Sequence, residues 1–252
     1  SAEKLLSLNA DIVLTSESDV AEDLRSKGVK AITFCYYSIE EMKTAMIMMS
    51  ELLDSKYSKK FTDYVDYLES NIKMVNDALE DKVKDKKEIY YINGNKDNGL
   101  YKTAGNKTMN EEWALNAYCE FSTSSLLTSS ETKVDKEAIL NKNPDVIIIG
   151  GRYQHKLKSD LLAAEEWKNI NAVVNNEIYT APLGISPFDR FGIEIAMMIP
   201  WVASQVYGEY FNYDIRSEIK NFYIKFAGIE LNDESVNYII EGRMPNGQFE
   251  IE

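Results

Sequence analysis

Three short stretches of this 252-residue chain combine aromatic rings with cationic or imidazole side chains, and a fourth is a pair of tyrosines. They are Tyr36-Tyr37, Tyr101-Lys102, Arg152-Tyr153-x-His155 and Phe188-x-Arg190. A guanidinium or ammonium group binds carboxylate or catecholate oxygens through charge-assisted hydrogen bonds, and rings supply broad apolar contact. Such a set suits a bulky, partly apolar anion. It is poorly suited to a bare transition-metal ion, which needs several imidazole and carboxylate ligands, because His155 is the only histidine. Nor does it form a catalytic signature: HExxH, GxSxG, a Walker loop and a dinucleotide fingerprint are all missing from the sequence. A two-lobed α/β enzyme using Lys102, Tyr153 or His155 as acid or base is the competing reading. The plainest alternative is ordinary surface loops, since 16 tyrosines place several in loops by chance.

The elements that must position these residues can be read from apolar periodicity. Asp11–Thr15 and Val29–Phe34 are β-branched runs flanking a helical stretch, Val20–Lys27, that Gly28 stops. This βαβ pattern calls for a parallel sheet with crossover helices. Ile39–Leu53 carries Met42, Ala45, Met46, Met49 and Leu52 on one face. From Lys56 to Lys86 apolar residues recur every three or four positions without Gly or Pro, which predicts one helix of roughly 45 Å at about 1.5 Å per residue.

A second α/β region follows, with strands at Ile89–Ile92, Val146–Ile149 and Glu177–Ala181 and helices at Asn110–Tyr118, Lys136–Asn141 and Ser159–Trp167. The loop 93–99 after the first of these strands is rich in Gly and Asn. The unalternating Val146–Ile149 run suits a strand covered on both faces. Three helices are expected after Arg190. In parallel sheets ligands bind beyond the carboxyl ends of the strands, where Tyr36, Tyr37, Tyr101, Lys102, Arg152, Tyr153, His155, Phe188 and Arg190 all fall, with Ser16 and Glu17 beside them.

An internal echo ties the two regions together. Glu3-x-Leu5-Leu6-x-x-Asn9-Ala10-Asp11-Ile12-Val13-Leu14 matches Glu137-x-Ile139-Leu140-x-x-Asn143-Pro144-Asp145-Val146-Ile147-Ile148, a short helix running into a strand each time. The fold expected is α/β, two parallel-sheet lobes bridged by one long helix. Its divisions are residues 1–55, the connecting helix 56–87, a second lobe 88–190 and C-terminal helices 191–252 packing back on the lobes.

Composition sets the remaining bounds. A formal net charge of −13 and an acidic pI near 4.7 argue against nucleic acid as a partner, because phosphate binding needs clustered Lys and Arg. No apolar run is long enough to span a bilayer, and Ser1–Leu14 lacks the pattern of a signal peptide. Cys35 and Cys119 lie far apart without CxxC spacing and are expected to be free thiols.

The order and spacing of E-x-LL-x-L-N-A-D-IVL, E-AIL-x-K-NPD-VIII-GG, WKNINAV, EIYTAPLG and EIKNFYIKFAGIEL resemble the cobalamin- and iron-siderophore-binding proteins of ABC importers. The resemblance covers nearly the whole chain. It implies an extracytoplasmic, non-enzymatic protein, periplasmic or a cell-surface lipoprotein, held at the membrane by an anchor outside this chain. Its partners would be a small-molecule metal chelate and a dimeric permease, with no resident cofactor. An iron chelate is the favoured ligand; molybdate or tungstate, haem and cobalamin are the alternatives. Glu3 and Glu137 resemble the family's two docking carboxylates, one per lobe, which register on arginines of the permease; each could equally be an acidic residue favoured by the helix dipole. Family members usually open with a further strand and helix of the first lobe that this chain does not contain.

Overall fold

A computed structural model describes residues 2–94, 99–129 and 131–249, so most of the Gly/Asn loop, residues 95–98, lies outside the described residues. The chain divides into two compact units, Ser1–Thr62 and Asp63–Glu252. Among the described residues no helix is long and apolar enough to cross a membrane.

The first unit opens with α1 (Ala2–Ser7), β1 (Val13–Thr15), α2 (Ser18–Ser26) and β2 (Ala31–Thr33). The two strands pair in parallel, Val13 opposite Ala31 and Thr15 opposite Thr33, as the βαβ pattern requires. Its small core joins Ala21, Leu24, Val29 and Ala31, with Leu5 and Val13 packed against them. α3 (Ile39–Leu52) begins with a capping arrangement: the Ser38 hydroxyl accepts from the Glu41 N–H, and the Glu41 carboxylate accepts from the Tyr37 N–H. Its face of Ile39, Met42, Ala45 and Met46 is buried, so the Met spacing serves packing.

α4 runs unbroken from Ser55 to Leu79, 25 residues or roughly 37 Å, and the division between the units falls inside it. The helix is shorter than the sequence suggests by about two turns at its C-terminal end. Lys82 and Val83 both donate backbone hydrogen bonds to the Leu79 carbonyl, which tightens and ends the last turn. Val83 still buries its side chain, so the apolar periodicity ran on past the end of the helix. The 63–79 part of α4 packs against the C-terminal helices. Asn71 Nδ2 donates to the Ala196 carbonyl (2.8 Å), and Tyr64 and Tyr67 meet the Phe226 ring at 5.7 and 5.6 Å.

The second unit is built on a four-stranded parallel sheet, β3 (Glu88–Ile92), β4 (Glu120–Phe121), β5 (Val146–Ile149) and β6 (Ile178–Thr180), in the spatial order β4-β3-β5-β6. The register sets Ile92 beside Ile149 and Ile149 beside Thr180, so these strands end along one edge. β5 is buried at every position, as its unalternating run predicts. The short β4 was not legible, because two residues carry no periodicity.

Helices α5 (Met109–Asn116), α6 (Lys136–Lys142), α7 (Gln154–Ala163) and α8 (Asn171–Val174) supply the connections, and α9 (Ile195–Val206), α10 (Ile215–Phe222) and α11 (Asp233–Ile240) follow. On one face the core includes Tyr90, Ile147, Ile149, Leu161 and Trp167. α7 starts five residues earlier than the periodicity indicated. Gly151, at φ +77°, turns the chain directly from β5 into the helix, so Tyr153 occupies its N-cap position and His155 lies in its first turn.

The internal echo is repeated in the backbone. Asn9 and Asn143 both sit at φ 50°, the left-handed conformation that ends a helix and that Asn tolerates better than most residues. Asn143 also accepts a hydrogen bond from the Asn171 N–H (2.8 Å), tying α6 to α8.

Candidate ligand cleft

The segments that follow β5 and β6 carry the residues that line a cleft of about 550 Å³ in the second unit. Its cationic groups are Arg152, after β5, and Arg190, after β6; Leu183, Pro187 and Phe191 give it apolar walls. Arg190 donates from Nη2 to Asn93 Oδ1 (2.6 Å), the first residue beyond β3, and its Nε lies 3.8 Å from Asp189 Oδ2. Gly151 is needed here for two reasons. Its φ of +77° suits glycine, and a Cβ at that point would lie 2.6 Å from Asn93 Oδ1 and 3.2 Å from Arg190 Nη2.

Beneath Arg190 lies Asp189, 1% exposed. Its Oδ2 accepts from the Tyr91 hydroxyl, and its backbone carbonyl accepts from Asn110 Nδ2 (2.9 Å). Burial pushes the Asp189 carboxyl up, against the opposing pull of the Tyr91 donor and the Arg190 charge. Burial foremost, then the charge of Asp189, raises the Tyr91 phenol well above its usual value. Another buried carboxylate shapes the wall: Glu194 Oε1 accepts from the Ser186 N–H and the Tyr223 hydroxyl, both at 3.0 Å, holding the 183–192 segment.

The other sequence-derived candidates divide. Tyr37 is exposed beyond β2, whereas Tyr36 is buried edge-on to Phe34. Tyr101 accepts from Trp167 Nε1 and donates to Glu166 Oε1, both at 3.2 Å, so its phenol serves the packing around Trp167. Lys102 forms a backbone bridge with Lys133, and its carbonyl accepts from the Asn93 N–H. Tyr153 packs against the sheet core. His155 Nε2 meets the Glu241 carbonyl at 2.9 Å, and its ring packs against that of Phe249 at a 34° tilt; burial lowers its pKa. Phe188 is fully buried, a core residue and not part of the cleft wall. Only Arg152 and Arg190 of the nine therefore line the cleft. Glu3 and Glu137 are both exposed on their helices.

Asn93, Asp189, Tyr91 and Phe191 escaped the sequence reading. The strand-end rule could have flagged Asn93, which directly follows β3. Asp189 and Tyr91 gave no signal, because a buried acid and a strand tyrosine become a pair only when β3 and the segment after β6 meet.

An α/β protein with a cleft of two guanidinium groups and apolar walls beside the carboxyl ends of a parallel sheet has its candidate site where this class of fold places ligands. The chain belongs to the periplasmic binding protein family, whose model matches residues 1–183. That family is one of binding proteins and not of enzymes. The chain is 27% identical over 184 residues to the uncharacterized ABC transporter substrate-binding lipoprotein YvrC of Bacillus subtilis (strain 168). The match covers 70% of this chain and 56% of that protein. In fold it is similar to a periplasmic solute binding protein from Veillonella parvula DSM 2008, with a TM-score of 0.77 and 24% identity over 98% of this chain and 74% of that one. The molybdate-bound MolA of Haemophilus influenzae is similar as well, with a TM-score of 0.72 and 18% identity over 91% of this chain and 76% of that one.

Proposed function

We propose that this protein is the extracytoplasmic substrate-binding component of an ABC importer, capturing an anionic metal chelate of the iron-siderophore kind and delivering it to a membrane permease. One observation carries the reading: Arg152 and Arg190 stand at a single apolar-walled cleft in a protein of net charge −13. Such a protein repels anions at long range, so an anionic ligand must find a local cationic patch. The cleft's volume, about 550 Å³, lies within the range that holds a drug-sized ligand. Leu183, Pro187 and the half-exposed Phe191 offer contact area to a bulky chelate that a bare oxyanion such as molybdate would leave unused.

In this reading α4 connects two lobes, and the exposed Glu3 and Glu137 register the protein on a basic permease surface. Tyr37, exposed beyond the first sheet, is the first unit's candidate ligand contact. The test is a titration of intrinsic fluorescence, backed by native mass spectrometry, with ferric catecholates and hydroxamates, haem, cobalamin and molybdate. Trp113 is a suitable reporter, since its ring lies 5.8 Å from that of Tyr91, which bonds Asp189 beside Arg190. Saturable stoichiometric binding of a ferric chelate supports the proposal. Binding of molybdate alone would replace the ligand class, and turnover of any compound would overturn the binding reading.

A further inference from the structure

Asp189 is a carboxylic acid withdrawn from solvent directly under a cleft that is otherwise cationic. Three elements converge on it: Tyr91 of β3 donates to Oδ2, Asn110 of α5 donates to its carbonyl, and the end of β5 presents Gly150. A Cβ on Gly150 would sit 1.9 Å from Asp189 Oδ2, so the lack of a side chain there is what admits the carboxyl. Two polar atoms of this group have no hydrogen-bond partner among the described residues: Asp189 Oδ1 and Arg190 Nε. The guanidinium is thus held at one end by Asn93 and left, at its Nε end, beside the Asp189 carboxyl at 3.8 Å.

We propose that Asp189, clamped by Tyr91, is the positioning residue of the cleft: it orients Arg190 from below and, by its own ionisation, sets how much positive charge Arg190 offers to a bound anion. The inference rests on the ligand class proposed above. The titratable and charged groups facing Asp189 are Tyr91 from β3 and the adjoining Arg190; α5 and the β5 end contribute the uncharged Asn110 and Gly150. An ionised Asp189 neutralises part of the Arg190 charge, whereas a protonated one leaves it whole. Bound anion and Asp189 proton therefore favour each other. As pH falls through the Asp189 pKa, which burial raises, affinity for an anion increases, and as pH rises it declines.

The experiment has two arms. In the ligand-free protein, the ¹⁵N signal of the Arg190 Nε–H group, assigned by its loss in Arg190→Lys, is followed against pH in wild type and Asp189→Asn. A shift that titrates in wild type and vanishes in Asp189→Asn is expected; a signal that is pH-independent and identical in both proteins overturns the proposal. In the second arm, iron(III) tris-catecholate is the probe, and wild type, Asp189→Asn and Asp189→Ala are compared at each pH so that changes in the chelate itself cancel. Asp189→Asn preserves an acceptor for Tyr91 but removes the charge, and it should bind about tenfold tighter than wild type at pH 8.5, converging on it in acid. Asp189→Ala removes the orienting group and should bind more weakly than wild type. Equal affinities in all three proteins, with Arg190→Ala impaired, would refute the positioning role. If wild type does not bind the probe at all, the chelate reading fails, and the Arg190 signal alone decides the inference.

Discussion

Gly150→Ala is the sharpest perturbation of the cleft floor. Gly150 does not hold the left-handed backbone that would demand glycine, so the argument concerns space alone. The added methyl would stand 1.9 Å from Asp189 Oδ2, 2.7 Å from its Cγ and 2.9 Å from the Tyr91 hydroxyl oxygen, where ordinary contact begins near 3.4 Å. Asp189 is side-chain buried on all sides and cannot swing into solvent. The carboxyl must therefore withdraw by about 1.5 Å, which breaks the hydrogen bond from Tyr91, worth about 1.5–3 kcal/mol for a charged acceptor, and adds about 1–3 kcal/mol of overpacking. A loss of about 2.5–6 kcal/mol in the stability of the second unit is expected. Urea unfolding followed by tryptophan fluorescence measures it, since Trp113, Trp167 and Trp201 all belong to that unit. Gly228→Ala is the control: its φ of +69° imposes strain of about 1–2 kcal/mol, but nothing lies within 4 Å of the new Cβ. A Gly150→Ala protein whose unfolding midpoint moves less than that of Gly228→Ala would refute the packing argument.

Arg152→Ala and Arg190→Ala should each weaken binding of an anionic chelate by about 1–3 kcal/mol by fluorescence titration, the cost of one charge-assisted hydrogen bond. Reversing both Glu3 and Glu137 to Lys should cut uptake in a transport assay while leaving ligand affinity unchanged; an equal loss of affinity would move them from docking to the fold or the cleft. Cys119 is fully buried and its thiol is pushed up to about 12, chiefly by burial, so a thiol reagent at pH 8 should label the partly exposed Cys35 and spare Cys119 until the protein unfolds. Because this pKa is raised on folding, its contribution to stability is complete below the unfolded thiol's pKa of about 8.5 and is lost as pH climbs toward 12. Wild type should therefore lose stability over that alkaline range more steeply than Cys119→Ala, measured by urea midpoints at pH 8 and 10.5.

The sequence by itself determined the parallel α/β class. The unalternating Val146–Ile149 run suited a strand covered on both faces, and the βαβ pattern around Gly28 favoured parallel pairing, because both rest on local patterns of apolar residues and turn signals. It also determined the internal echo, down to the two asparagines that end equivalent helices, and it placed Arg152 and Arg190 at strand ends. It misjudged the end of α4, because apolar spacing continues through Val83 although the helix stops at Leu79, and spacing alone does not distinguish a last turn from another helical turn. Which strand-end residues face the cleft was decided only in three dimensions. Phe188 and Arg190 are two positions apart in one segment, yet one is core and the other lines the opening, since that choice depends on how the segment packs against β3 and β5. The pairing of Tyr91 with Asp189, 98 residues apart, likewise has no trace in sequence. A buried acid and its donor are defined by burial and mutual distance, and both exist only once the sheet has brought the ends of β3, β5 and β6 together.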